Sequence, residues 1–374
     1  MTREIKRSHV RAVARAGPRL RAVALAVLTS AVLAGCDKGV NHKPVKDLVY
    51  FFDVGSTSIY MLDADSLTLI DSIPNVGYWS GASEIEYMVV TPDGRWLFTS
   101  DAGNAKGTLV RKINTVTKQT VDSVYASHRG ALLLLDKGRL LRWGSCDGWL
   151  TEVDKFPVVT VDTTAVCIQH GPISGTTIAG GVTETNHIRV ETVLPRATIA
   201  EFVATKIDSV PMSEVYYVAL HPDGKRVSAI ARGGGYFFIV ANIATGQTIY
   251  QHAFTSQAGQ FSPGEIAINS TGTLAIITDP GKPWFGMHVG TIDVVDLVNL
   301  RLLKRFDQDD FDGPQSNSQI AFTSDEKAVI VTTIANWGFS YIHRLDLETL
   351  TITKTAWFEE VAVGGMTVGR SPQQ

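Results

Sequence analysis

The segment Glu86-Tyr-Met-Val-Val-Thr-Pro-Asp-Gly-Arg-Trp-Leu-Phe-Thr-Ser100 constrains the fold more than any other, because its pattern returns about every 40 to 50 residues along the rest of the chain. It reads as strand, tight turn, strand. Met88 and Val90 fall on one face of the first strand and Trp96 and Phe98 on one face of the second, while Pro92, Asp93 and Gly94 carry the turn chemistry. A unit of this kind cannot bury its apolar face alone, so the repetition requires a repeat architecture.

The units run in order through the chain. An N-terminal one, residues 48–73, holds three short alternating strands and lacks a first strand; complete or nearly complete units follow at 86–125, 128–160, 165–208, 215–253, 263–306 and 317–357. Residues 361–370 match the first strand of a unit and nothing more. One strand from the C-terminus and three from the N-terminus complete a seventh sheet and close a ring, which removes open sheet edges. The expectation is therefore an all-β, seven-bladed β-propeller. Unit four is the most degenerate, so six or eight blades are the alternatives. Helical periodicity is nearly absent beyond the N-terminus, which argues against an α/β enzyme.

The chain has 374 residues, 44% of them hydrophobic, with 33 glycines and 14 prolines: enough for a large core and too apolar for disorder. Its net charge of −3 hides an asymmetry. Seven of the 34 Lys/Arg but only one of the 37 Asp/Glu lie in residues 1–35, so the remainder keeps 27 basic against 36 acidic residues, a net charge of −9 that argues against nucleic acid as a partner.

That basic segment leads into an apolar run, residues 22–34, too short to span a bilayer comfortably, and then into Leu33-Ala-Gly-Cys36. The layout resembles a bacterial lipoprotein signal with its lipobox; an ordinary secretory signal is the alternative. The resemblance implies cleavage before Cys36, diacylation of that cysteine, acylation of the new amine in some members, and a stable membrane anchor, since two or three chains hold where one is marginal. It places residues 1–35 as signal, 36–47 as lipidated tether and 48–370 as propeller. The expected location is the bacterial cell envelope, membrane-anchored and extracytoplasmic, on the periplasmic side or the cell surface; Asp37 after the cysteine hints at the inner membrane. In an oxidising compartment Cys146 and Cys167 are either a disulfide or two free buried thiols.

The turn-flanked segments around Pro92-Asp-Gly94 and Pro222-Asp-Gly224, and the strand Ile292-Asp-Val-Val-Asp-Leu297, look like the YVTN-type β-propeller repeat. The likeness covers residues 48–370 and implies the propeller without implying a function, since such repeats occur in surface-layer proteins, exported binding proteins, lactonases and propeller subunits of amine dehydrogenases. Departures are visible. Asn269-Ser-Thr-Gly272 lacks the proline, Ser324-Asp-Glu326 lacks the glycine, and unit four lacks Pro-Asp-Gly altogether.

Two regions are candidates for function. In such propellers the loops between second and third strands share a face with the loops between blades, which would gather Tyr78, Trp79, Trp284, Phe285, Trp337 and Phe339; exposed rings beside acids suit a protein, peptide or glycan partner, or else plug gaps between blades. First strands line the central channel. Aligned on the turn, they place Tyr87, Tyr217, Glu265 and Gln319 near its mouth, with His128 and Arg129 just ahead of another such strand, a set that suits a small polar ligand or simply a wet channel. The acids Asp307, Asp309, Asp310 and Asp312 invite calcium, but Phe311 stands where an EF-hand needs an oxygen, which leaves calcium in another geometry or a solvated loop. No GxSxG, HExxH, GxxxxGK, CxxC or CxxCH motif is present. The resulting expectation is a lipid-anchored binding or scaffold module for an envelope protein, peptide or glycan, with no cofactor unless calcium. The alternative is a propeller enzyme, lactonase-like or dehydrogenase-associated, working at the channel mouth with Glu265, His128 and Arg129.

Overall fold

The computed structural model describes residues 46–372 except 54–55, 75, 77–84, 102–106, 127–129, 136–137, 145–147, 158–159, 163–167, 170–172, 175–176, 183–185, 194–195, 209, 255–263, 280–289, 308, 312–315, 336–338, 360 and 362. Seven antiparallel sheets stand around one axis, each running from an inner strand to an outer one. Blade 1 is the composite sheet: Val363–Arg370 is innermost and pairs with Asp47–Asp53, followed outward by Ser58–Asp63 and Leu69–Ile73. The ring is closed by the C-terminal strand on the N-terminal blade, as the unit pattern predicts. Among the described residues the one helical element is a 3-10 turn, Val153–Lys155.

The inner strands of the other blades are Ile85–Val90 in blade 2, Gly130–Leu135 in blade 3, Glu214–Leu220 in blade 5, Ile266–Ile268 in blade 6 and Ser316–Phe322 in blade 7. Blade 4 differs. Its innermost position is filled by two two-residue pieces, Ile168–Gln169 and Ile173–Ser174, both paired with Thr177–Val182. Unit four has no Pro-Asp-Gly motif between these pieces and Thr177–Val182. Blade 3 gains an outer strand, Thr160–Asp162, that its sparse alternation does not announce.

Burial follows position within a blade. A second strand such as Trp96–Asp101 is buried on both faces after its first residue, whereas the outer strand Gln119–Ala126 is mostly exposed. A central strand packs one face on the preceding blade and the other on the following blade, so both sets of alternating side chains are buried. The core is accordingly divided into seven clusters, one between each pair of neighbouring blades. The smallest lies between blades 3 and 4, where only Leu135, Leu141 and Ile178 are fully buried among the described residues.

The turns that organise the repeat share one geometry despite their different sequences. Gly94, Gly224 and Gly272 have φ of 71°, 63° and 67°, and each donates its N–H to the carbonyl three residues earlier, on Thr91, His221 and Asn269. Glu326 occupies the same position in blade 7 with φ 54° and bonds Thr323 in the same way. In blade 6 Ser270 stands at the proline position, and the Asn269 side chain braces the turn: its Oδ1 accepts the N–H groups of Thr273 and Leu274 at 2.8 and 2.9 Å.

Candidate functional site

An axial cavity of about 260 Å3 is lined by Tyr87, Met88, Ala131, Leu132, Leu133, Tyr217, Val218, Glu265, Ile266, Gln319, Ile320, Ala321, Met366 and Thr367. Among the described residues, every blade except blade 4 contributes. Tyr87, Tyr217, Glu265 and Gln319 are brought together here. Each stands four residues ahead of its turn residue, respectively Thr91, His221, Asn269 and Thr323, so the repeat itself delivers them to one level of the channel.

A local irregularity accompanies three of the four. Register shifts between Ile85 and Tyr87, between Val215 and Tyr217, and between Asn317 and Gln319 mark one-residue bulges immediately before the cavity residue. A bulge flips the side-chain alternation of the residues beyond it, so these strands turn Tyr87, Tyr217 and Gln319 toward the axis. Blade 6 reaches the same end differently: its inner strand starts late, and Glu265 sits just ahead of it.

Two residues without charge fix Glu265. Its N–H donates to Thr278 Oγ1 at 2.8 Å, and its carbonyl accepts the Thr278 N–H at 3.0 Å. Gly264 lies against the same threonine so closely that a Cβ there would come within 1.8 Å of the Thr278 carbonyl oxygen, which excludes every other residue without a backbone shift. The carboxyl spans to blade 7, where Oε2 accepts the Ile320 N–H at 3.0 Å. Oε1 has no hydrogen-bond partner among the described residues.

Burial pushes the Glu265 carboxyl up to about 7, opposed by the single bond from Ile320. It is the only charged side chain lining the cavity among the described residues, and no described cation neutralises it. A carboxyl poised near neutrality in a largely apolar chamber can accept a hydrogen bond, pair with a cation, or exchange a proton.

The other candidates have different fates. His128, Arg129, Tyr78, Trp79, Trp284, Phe285, Trp337, Asp312, Cys36, Cys146 and Cys167 lie outside the described residues; Phe339 begins the strand Phe339–Asp346, with nothing described of its side chain. In the acidic loop the carboxylates serve their own turn: Asp307 Oδ1 accepts the Asp309 N–H at 3.0 Å, and Asp310 pairs with Lys304 at 3.0 Å. Phe311 is buried in the cluster between blades 6 and 7 and lies 5.0 Å from the His343 ring, so its place in the loop is a packing role. Among the described residues no group of three or more His, Cys, Asp or Glu is arranged to hold a metal.

Sequence reading missed the apolar wall, notably Leu132, Ile266, Ile320 and Met366, and it missed Thr367. The signal was available for Thr367: it sits in the C-terminal strand at the level where the other first strands meet the channel. Gly264 and Thr278 carried no signal, because their role depends on a contact between two strands.

No family model matches the chain, and no curated protein is similar to it. Solved structures share its fold. Hydrazine synthase of Kuenenia stuttgartiensis is similar with a TM-score of 0.54 and 15% identity over 73% of this chain and 81% of that one. Dihydro-heme d1 dehydrogenase NirN in complex with DHE is similar with a TM-score of 0.53 and 15% identity over 82% of this chain and 63% of the NirN chain. At such identity the likeness concerns the fold alone.

Proposed function

We propose that the protein is an exported, lipid-anchored propeller that works as a binding module, and that its ligand is a small molecule held in the axial cavity. The observation that carries this reading is the convergence of Tyr87, Tyr217, Glu265 and Gln319, from four different blades, on one chamber with apolar walls. A few placed polar groups in a mostly apolar concavity are the usual make-up of a small-molecule site. At about 260 Å3 the chamber falls just below the range of roughly 300 to 1,000 Å3 common for drug-sized ligands, which suits something smaller. The export signal and Cys36 supply the anchoring half of the reading, at the envelope membrane. A protein, peptide or glycan partner on the aromatic loops belongs to the same binding-module class.

The test is a thermal-shift screen of small molecules against the wild type and Gln319→Trp. Blades 2 and 5 already carry tyrosine at the equivalent position, so an aromatic there is compatible with the fold and fills the chamber. Compounds that stabilise the wild type and not the variant support the reading; compounds that stabilise both equally, or none at all, remove it. Acylation is tested separately by membrane fractionation of Cys36→Ser, which is expected to move the protein into the soluble fraction.

One observation favours a second reading, a propeller enzyme that uses Glu265 as acid or base: its carboxyl is pushed to about 7, where proton transfer at neutral pH is most effective. Two chains of similar fold are enzymes by name. If Glu265→Gln and His128→Ala leave every detected turnover unchanged, this second reading is wrong.

A further inference from the structure

The axial site allows its ligand to be narrowed by chemical class, an inference that rests on the cavity being the binding site. Three features set the class. Glu265 stands half-buried at the wall with one oxygen committed to the Ile320 N–H at 3.0 Å and the other without a partner among the described residues. No Lys, Arg or His stands among the described lining residues to neutralise it. Two tyrosines line the same chamber, and aromatic rings attract a desolvated cation.

A ligand bearing an ammonium group supplies what the wall lacks. Its N–H groups donate to the open Glu265 oxygen, its charge keeps the carboxylate ionised, and its apolar body meets Leu132, Ile266, Ile320 and Met366. An anion of the same size meets a carboxylate with no compensating cation among the described lining residues. A neutral isostere keeps the apolar contacts and loses the charge pairing. We infer that the axial cavity of this propeller binds small molecules carrying a single protonated amine on a compact apolar body.

The test uses three probes of one shape and different charge, benzylamine, benzyl alcohol and benzoate, with affinities measured by ligand-observed NMR on the full mature chain. The expected result is that benzylamine binds at least tenfold more tightly than benzyl alcohol, that benzoate binds weakest, and that Glu265→Gln removes the preference for the amine. Glutamine keeps an acceptor for the Ile320 N–H, so this variant retains the local bond. The ranking among probes on the wild type tests the proposal even if the variant were unstable. If benzyl alcohol or benzoate equals or exceeds benzylamine on the wild type, and Gln319→Trp abolishes that binding, the amine class is wrong while the cavity remains the site. If Gln319→Trp binds all three probes as the wild type does, or the wild type binds none at millimolar concentration, the cavity itself is not the site and the amine inference falls with it.

Discussion

Glu265 shows how much of a functional residue's behaviour is set by neighbours with no charge. Gly264 admits the close approach of Thr278, Thr278 takes the Glu265 amide, and the carboxyl is delivered to a chamber where burial raises its pKa to about 7 from an ordinary value near 4.5. The consequence for stability has a definite sign. Between about pH 4.5 and 7 the folded chain holds a proton on Glu265 that the unfolded chain has released, so this group's contribution is full below that window and is lost as pH rises through it. The melting temperature of the wild type relative to Glu265→Gln is expected to fall between pH 5 and 8; a flat difference would mean that Glu265 titrates at its ordinary value. Asp293 works in the opposite sense. Burial alone would raise it, but bidentate bonds from Arg305 at 2.7 Å and a contact with His252 at 3.0 Å hold its carboxyl below the usual range. Arg305→Ala leaves a fully buried carboxylate with half its partners gone, and urea unfolding is expected to show a loss of about 3 to 5 kcal/mol.

At the scale of the element, the tight turn is where sequence and structure agree most closely. Pro-Asp-Gly reads directly as a turn because only glycine adopts positive φ without cost, and Gly94 and Gly224 do so. Asn269 and Glu326 obscure the motif in sequence while preserving its backbone: the first substitutes side-chain acceptors, and the second tolerates φ 54° while its carboxylate accepts the Ser270 N–H of blade 6 at 2.6 Å. The two glycines separate conformational cost from packing. At Gly224 an added Cβ meets nothing within 4 Å, so Gly224→Ala is expected to cost about 1 kcal/mol for its left-handed backbone. At Gly94 it would lie 2.0 Å from the Arg370 carbonyl oxygen of the closing strand, so Gly94→Ala is expected to cost about 1 to 3 kcal/mol more, read by the same denaturant titration. Equal losses at the two positions would contradict the packing of the terminal strand against this turn. The bulges before Tyr87, Tyr217 and Gln319 were not legible, because a one-residue register shift is fixed by the facing strand and leaves no mark in composition.

For the whole molecule, the closed ring was legible from an arithmetic of strands: the first unit lacked one and the C-terminus offered one. The structure adds how closure is fastened. The Ser371 N–H donates to the Lys46 carbonyl at 2.7 Å, and the Asp47 carboxylate accepts both the N–H and hydroxyl of Ser324 from blade 7 at 2.6 and 2.5 Å. The site was legible only as positions aligned on the turn. Its apolar wall comes from many blades at once, and no local pattern reports such a gathering. Among the described residues cohesion around the ring is uneven, with the smallest cluster between blades 3 and 4, so hydrogen exchange is expected to release the blade 4 strand His187–Val193 earlier than Tyr236–Asn242 of blade 5. The claim that joins these scales is that the axial cavity at Glu265 is where a ligand binds. A crystal structure of the protein soaked with the small molecule that stabilises it most tests this directly. The account predicts that molecule inside the cavity, with a donor atom within about 3.2 Å of Glu265 Oε1. A molecule seated on the rim or on an outer strand, with only water beside Glu265, would contradict it.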